Sequence, residues 1–281
     1  HPGFTTQEKE ITASRYLERA VSQEHFLPVG QNVRGERVYT SRQILDQEQH
    51  FGESVAVLAG RTGYGVDGKI LRASADAYAL KRGFSLGEEQ VLALGALCDE
   101  RGLGVIEGRA GTGKTTVLEV LKDTYTAQGY RLMGGAFQGR TAEHLQSDTG
   151  IASYTLDMYC KRWESIDKTR TALEEGASQG KSAACLQKTL GALEPFELTD
   201  RTVFVVDEAF TAPAHLLHAL VARAASKGAK VILAGDARQT LAFTSGDFGR
   251  AVTNQVGSVT LEDIRRQKVD WQRAASLDLS R

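Results

Sequence analysis

The chain has 281 residues, of which a quarter are charged and 41% apolar, and its formal net charge is −1. That is ordinary globular composition and excludes disorder, collagen and coiled coil. A near-neutral balance speaks against a polybasic mode of partner binding, but a local nucleic-acid groove needs only a few well-placed cations.

Cys98, Cys160 and Cys185 are odd in number, far apart and in no C-x-x-C or His/Cys ligand spacing. Neither a disulfide framework nor a zinc site is expected, and a reducing cytoplasmic setting fits best. Apolar runs such as Val203 to Val206 are too short to span a membrane, and no signal-peptide pattern is present. The chain opens His1-Pro2 rather than Met, so a fragment is expected.

Residues 1–80 read as an N-terminal extension. Helical patterns run over about 6–22 and 41–59, each behind a cap, Phe4-Thr5-Thr6 and Tyr39-Thr40-Ser41, whose hydroxyls can accept from the first free helix N–H groups. Gly60 to Gly68 is glycine-rich and reads as a hairpin or loop. From Phe84 the pattern alternates. Helices are expected over 85–99, 114–128, 140–147 and 213–227, and strands over 104–107, 131–136, 202–206, 230–234 and 257–261. Such alternation predicts an α/β fold over 81–281, a parallel sheet with helices on both faces. Residues 164–198, rich in Ala, Lys, Gln, Ser and Glu, read as a surface helical insertion.

Gly108-Arg109-Ala110-Gly111-Thr112-Gly113-Lys114-Thr115 satisfies G-x-x-x-x-G-K-[ST] between an apolar strand and a helix. Glycines let backbone N–H groups converge on a phosphate, and the following helix adds its positive end. Lys114 supplies a mobile charge for the β- and γ-phosphates of ATP, and the Thr115 hydroxyl a ligand for Mg2+. Gly108, Gly111, Thr112, Gly113 and Thr116 complete the phosphate-binding set. Val203 to Val206 delivers Asp207-Glu208 at a strand's carboxyl end, where ligands sit in open α/β sheets. Asp207 is expected in the Mg2+ shell and Glu208 as general base toward the attacking water. Val231 to Ala234 repeats the logic with Gly235-Asp236, and places Gln239 where an amide can sense γ-phosphate and water.

These strings together resemble the superfamily 1 helicase motor of the RecD-like branch, a P-loop NTPase with a RecA-like sheet. They are most similar to the helicase part of conjugative relaxases of the TraA/MobA and TraI/TrwC type. The match runs through Phe84-Ser85-Leu86-Gly87-Glu88-Glu89-Gln90, the phosphate loop, Gly135 to Ala142, Thr149 to Leu156, Asp207-Glu208-Ala209, Gly235 to Gln239, and Leu261 to Gln267. The resemblance implies that Gln90 reads adenine and Arg266 faces the γ-phosphate. It also implies that Gln138, Arg140, Thr141, Ser153 and Thr155 line a single-stranded DNA path. Tyr154 or Phe137 could stack a base there, with core packing as the alternative. Phe210-Thr211 and Thr240 depart from the family pattern, and no His-x-His cluster or paired tyrosines for DNA nicking are present.

The resulting expectation is an ATP-dependent motor on single-stranded DNA, 5′ to 3′ by resemblance, acting in conjugative transfer with possible partners in the conjugation machinery. A nucleotide- and DNA-binding accessory module without motor activity, a RecD-like repair helicase and a P-loop kinase are the competing readings. Few residues follow Arg266, so one RecA-like domain is expected rather than the two that close on ATP. Such a fragment is expected to bind nucleotide weakly and not to unwind DNA.

Overall fold

The computed structural model describes residues 26–32, 34–109, 111–176, 183–236 and 248–262. The helix expected at 6–22, and Gln239 and Arg266 among the site residues, lie outside the described residues. The chain divides into two compact units between Glu53 and Ser54.

The first unit holds an antiparallel hairpin of β1 (Phe26–Gln31) and β2 (Arg37–Ser41), which the sequence reading did not foresee. The register shifts between Pro28 and Gly30, where a residue without an N–H is tolerated. The Asn32 side-chain oxygen holds the turn by accepting from the N–H groups of Arg34 and Glu36, at 2.9 and 3.0 Å. Helix α1 (Arg42–Gly60) follows, and the boundary between the units falls within it. The Ser41 hydroxyl accepts from Ile44 N–H at 3.2 Å, the cap that the sequence predicts.

The second unit is a sheet of six parallel strands in the order β5–β4–β6–β7–β3–β8. These are β3 (Leu103–Gly108), β4 (Arg131–Ala136), β5 (Ser153–Thr155), β6 (Thr202–Val206), β7 (Lys230–Gly235) and β8 (Val259–Leu261). Helices α2 (Gly68–Arg82) and α3 (Glu88–Leu97) precede β3, and between the strands run α4 (Lys114–Ala127), α5 (Gly139–Thr149), α6 (Leu156–Glu174), α7 (Ala183–Leu193), α8 (Ala214–Lys227) and α9 (Phe248–Val256). This is the expected α/β architecture.

Strand β6 reads Thr-Val-Phe-Val-Val and is buried throughout, as a central parallel strand must be. Val203 and Val205 share one core cluster with Ile106, Ile232 and Ala234 of neighbouring strands and Leu94, Leu97, Val117 and Leu121 of α3 and α4. Phe204 points to the opposite face, where its ring lies 4.9 Å from Tyr159 and 6.3 Å from Trp163 of α6. Each large side chain buried in this way contributes about 1.5–3 kcal/mol.

Residues 54–80, grouped by sequence with the N-terminal extension, fold with the sheet. Tyr64 and Tyr78 belong to the same core cluster, and Tyr125 on α4 donates its hydroxyl to the Tyr64 carbonyl at 3.2 Å. The glycine-rich stretch does form a loop, but it ends at Asp67, whose carboxylate caps α2 by accepting from Lys69 N–H at 2.8 Å. The stretch read as an insertion starts inside α6. Tyr159, Trp163 and Ile166 are buried at helical spacing, so this helix packs on the sheet rather than standing apart.

Candidate nucleotide and nucleic-acid cleft

The strand order brings the carboxyl ends of β6, β7 and β3 side by side, with Val206 opposite Leu233 and Gly235 opposite Glu107. The loops that follow them carry the phosphate motif, the acidic pair and Asp236. They open into a cleft of about 820 Å3. Its walls include Gln90, Gly111, Gly113, Lys114, Thr115, Thr116, Asp207 and Glu208.

The loop is built for close approach. Gly111 and Gly113 have φ of 90° and 93°, a left-handed backbone that favours glycine. A Cβ on Gly113 would collide with the Gln90 amide, and one on Gly108 would lie 2.7 Å from the Thr112 hydroxyl. Thr112 is buried and its hydroxyl donates to the Arg109 carbonyl at 2.9 Å, which braces the loop from within. Helix α4 starts at Lys114 with no side-chain cap, so its first N–H groups remain for an anion. The Lys114 ammonium is turned onto the loop, donating to the Gly108 carbonyl and, at 3.4 Å, to that of Arg109.

Asp207 sits at the end of β6, its N–H held by the Gly135 carbonyl at 2.9 Å. Burial pushes its carboxyl up, against the pull of the Glu208 N–H at 3.0 Å and the Lys114 charge. Glu208 is raised too, by burial first and then by Asp207, with Lys114 opposing. Gln90 is buried at 4% exposure and bonded at both ends of its amide. Its amide oxygen accepts from Gly87 N–H at 3.1 Å, and its amide nitrogen donates to the Gly113 carbonyl at 3.4 Å. The side chain thus ties the start of α3 to the phosphate loop.

The residues expected on a DNA path divide. Gln138, Arg140 and Thr141 line the same cleft as the phosphate loop. Ser153 and Thr155 are not among its lining residues. The Ser153 hydroxyl is buried and donates to the Ile151 carbonyl at 2.7 Å. The Thr155 hydroxyl caps α6, accepting from Met158 N–H at 3.2 Å. Phe137 and Tyr154 are 43% and 46% exposed, and Tyr154 packs one side against Tyr159 and Phe196.

Sequence reasoning assigned no role to Phe84, Arg109, His144 and Asp148, which also line the cleft. Phe84 is 57% exposed and meets Tyr78 edge-on at 5.8 Å. His144 and Asp148 continue from Arg140 at helical spacing along α5. That stripe was visible in the sequence; that it faces the acidic pair was not.

The family model described as an AAA domain (AAA_30) matches residues 85–281. The chain belongs to the AAA domain family. The probable conjugal transfer protein TraA of Sinorhizobium fredii is 32% identical over 249 residues, covering 89% of this chain and 20% of the relative. The conjugal transfer protein TraA of Rhizobium radiobacter is 30% identical over 243 residues, 86% of this chain and 19% of its own length. The chain therefore spans about a fifth of the curated relatives it matches. Among solved structures, a DNA replication initiation factor aligns over 70% of this chain and 54% of its own, at 16% identity and a TM-score of 0.34. AMPPCP-bound DnaA from Aquifex aeolicus aligns over 70% and 55%, at 15% identity and a TM-score of 0.34. The resemblance to the RecD-like domain of TraA-type relaxases is borne out, as is the parallel α/β sheet. The AAA domain is an NTPase-type fold. Among the described residues no helix is long and apolar enough to cross a membrane.

Proposed function

We propose that this chain is the ATP-binding part of an ATP-driven motor on single-stranded DNA, with 5′-to-3′ polarity by family resemblance, acting in conjugative DNA transfer alongside other transfer proteins. The observation that carries this reading is a single cleft. It holds an uncapped helix start behind a glycine loop, a lysine, a buried acidic pair and the polar stripe of α5.

The Lys114 ammonium would leave the loop carbonyls for the β- and γ-phosphates, while the N–H groups at the start of α4 hold the β-phosphate. The donor set fits Mg2+, because Thr115 and Asp207 offer hard oxygens beside the loop. Among the described residues no group of three His, Cys, Asp or Glu could hold a metal, so phosphate and water oxygens would complete that shell. Bound Mg2+ would neutralise developing charge on the phosphates. Glu208, raised by burial and by Asp207, would take the proton of the attacking water. Gln239 and Arg266 would sense and stabilise the γ-phosphate by resemblance. Gln138, Arg140 and Thr141 would hold DNA phosphates from a helix that also borders the nucleotide, which supports coupling between the two. Phe84 offers an apolar face at the rim for the base.

The test is ATP hydrolysis by a longer protein carrying this chain, with and without single-stranded DNA. Stimulation by DNA is expected, with loss on Lys114→Ala or Glu208→Gln. Equal rates with and without DNA would leave a nucleotide-binding accessory module instead.

A further inference from the structure

A second cleft, of about 510 Å3, lies at the amino ends of β6 and β7, the end of the sheet away from the phosphate loop. Arg61, Thr62, Asp200, Arg201, Ser226 and Lys227 line it. Its charges are unbalanced. Three cations face one carboxylate, a surplus of two positive charges. Elsewhere in the second unit Arg82 pairs with Glu119 at 2.8 Å, Arg101 with Asp99 at 2.5 Å, and Arg223 with Glu197 at 2.9 Å, while Arg72, Arg131, Arg140 and Arg162 form no ion pair among the described residues. Arg61 and Arg201 have none within 4.0 Å among the described residues. Lys227 reaches only Glu197, at 3.7 Å, a carboxylate that Arg223 and Arg170 already share.

Nη1 of Arg61 is buried with no acceptor in hydrogen-bond geometry among the described residues, its guanidinium lying against the Tyr64 hydroxyl, whose pKa it pulls down against the larger effect of burial. A buried donor left without an acceptor is costly, and an oxyanion is the acceptor that a guanidinium fork matches best. The C-terminus of α8 ends in this cleft at Gly228 and adds about half a negative charge, too little to cancel the surplus. It is also partly satisfied, since the Ala224 carbonyl accepts from Gly228 and Ala229.

The cleft is preorganised. Tyr64 donates its hydroxyl to the Gly228 carbonyl at 2.6 Å, and Tyr130 donates to the Gly63 carbonyl at 3.2 Å. The Arg201 guanidinium lies over the Tyr130 ring, 5.2 Å from its centre. Both rings are buried, so no aromatic face is offered to a base. Recognition here would be of the anion alone.

We propose that this cleft is a phosphate-binding site separate from the phosphate loop, taking a phosphate of a single-stranded nucleic-acid backbone or a free phosphate. Arg61 and Arg201 grip the oxygens, and Lys227 adds charge at the rim. The site does not depend on the ATP reading, so the test runs in a chain whose phosphate loop is silenced by Lys114→Ala.

In that background, a labelled oligothymidylate is titrated by fluorescence anisotropy over a range of salt. Inorganic phosphate is titrated by thermal shift. Arg61→Gln with Arg201→Gln is expected to weaken the oligonucleotide about tenfold and to lower the slope of log K against log salt by about 1, the release expected for one or two phosphates. If the oligonucleotide alone is affected, the ligand is a nucleic-acid backbone. If a saturable phosphate-dependent rise in Tm is also lost, free phosphate is a ligand. Oligonucleotide and phosphate responses unchanged by the substitutions would overturn the proposal. Should Arg61→Gln impair folding, judged by circular dichroism, the exposed Arg201→Gln with the half-buried Lys227→Gln tests the same charges. Retention of binding by Arg61→Lys is the charge-preserving control.

Discussion

Glu208 has φ of 50° and ψ of 40°, the one non-glycine residue with positive φ among the described residues. The conformation is held from both sides. Its N–H donates to Asp207, and its carbonyl accepts from the N–H and the hydroxyl of Thr211 as the next turn begins. A left-handed backbone costs about 1–2 kcal/mol for a residue with a Cβ, so strain is stored at the proposed base. Glu208→Gly should therefore be more stable than Glu208→Ala by about 1 kcal/mol in urea unfolding. Equal stabilities would deny the strain. At the rim, Phe84→Ala should weaken ATP binding by about 2–10-fold, the worth of one aromatic contact, without lowering Tm appreciably. Unchanged affinity would remove Phe84 from the base site. The glycines, Lys114 and Asp207-Glu208 were legible because phosphate binding at a helix start is local chemistry. The strain at Glu208 was not, because it depends on how β6 is held against Gly135.

The elements that sequence located well are those whose burial writes itself into composition. Strands β4, β6 and β7 and helices α4 and α8 fell within a residue or so of their expected limits. Strand β5 is three residues long and exists only by pairing with Gly134 to Ala136. Helix α2 has Tyr78 as its one fully buried residue, and its stripe of Leu71, Ala75 and Tyr78 is short and diluted by apolar residues on the other face, such as Leu80, which is 89% exposed. The glycines of β4 show what the sequence does not spell out. A Cβ on Gly135 would lie 2.8 Å from Leu156 Cδ2 and 2.8 Å from Phe204 Cε1. Gly135→Ala should overpack this layer and cost about 1–3 kcal/mol in urea unfolding. A neutral substitution would mean that α6 is free to shift from the sheet.

Across the whole second unit, the two ends of the sheet carry different electrostatics. The carboxyl end holds the phosphate loop. Near the amino end, Lys230 is fully buried, donates to the Asp99 carbonyl at 2.9 Å, and lies over the rings of Tyr64 and Tyr125. Burial lowers its pKa to about 8. A lysine whose folded pKa lies below its unfolded value binds fewer protons when folded. Stability should thus rise with pH from about 8 toward the ordinary lysine value, by up to about 3 kcal/mol. Chemical unfolding at stepped pH should show this rise in the parent chain and not in Lys230→Met; parallel profiles would refute the burial penalty. Sequence showed Lys230 only as the first residue of a strand, because its burial depends on the distant Tyr64 loop.

Binding of ATP in the Gly108–Thr115 cleft through Lys114 can be measured by titrating ATP with Mg2+ into this chain and into its Lys114→Ala variant, followed calorimetrically. Saturable binding is expected in the parent chain, and at least about tenfold weaker binding in the variant, the worth of one charge-assisted contact. Equal affinity in the two, or saturable binding in neither, would contradict the assignment.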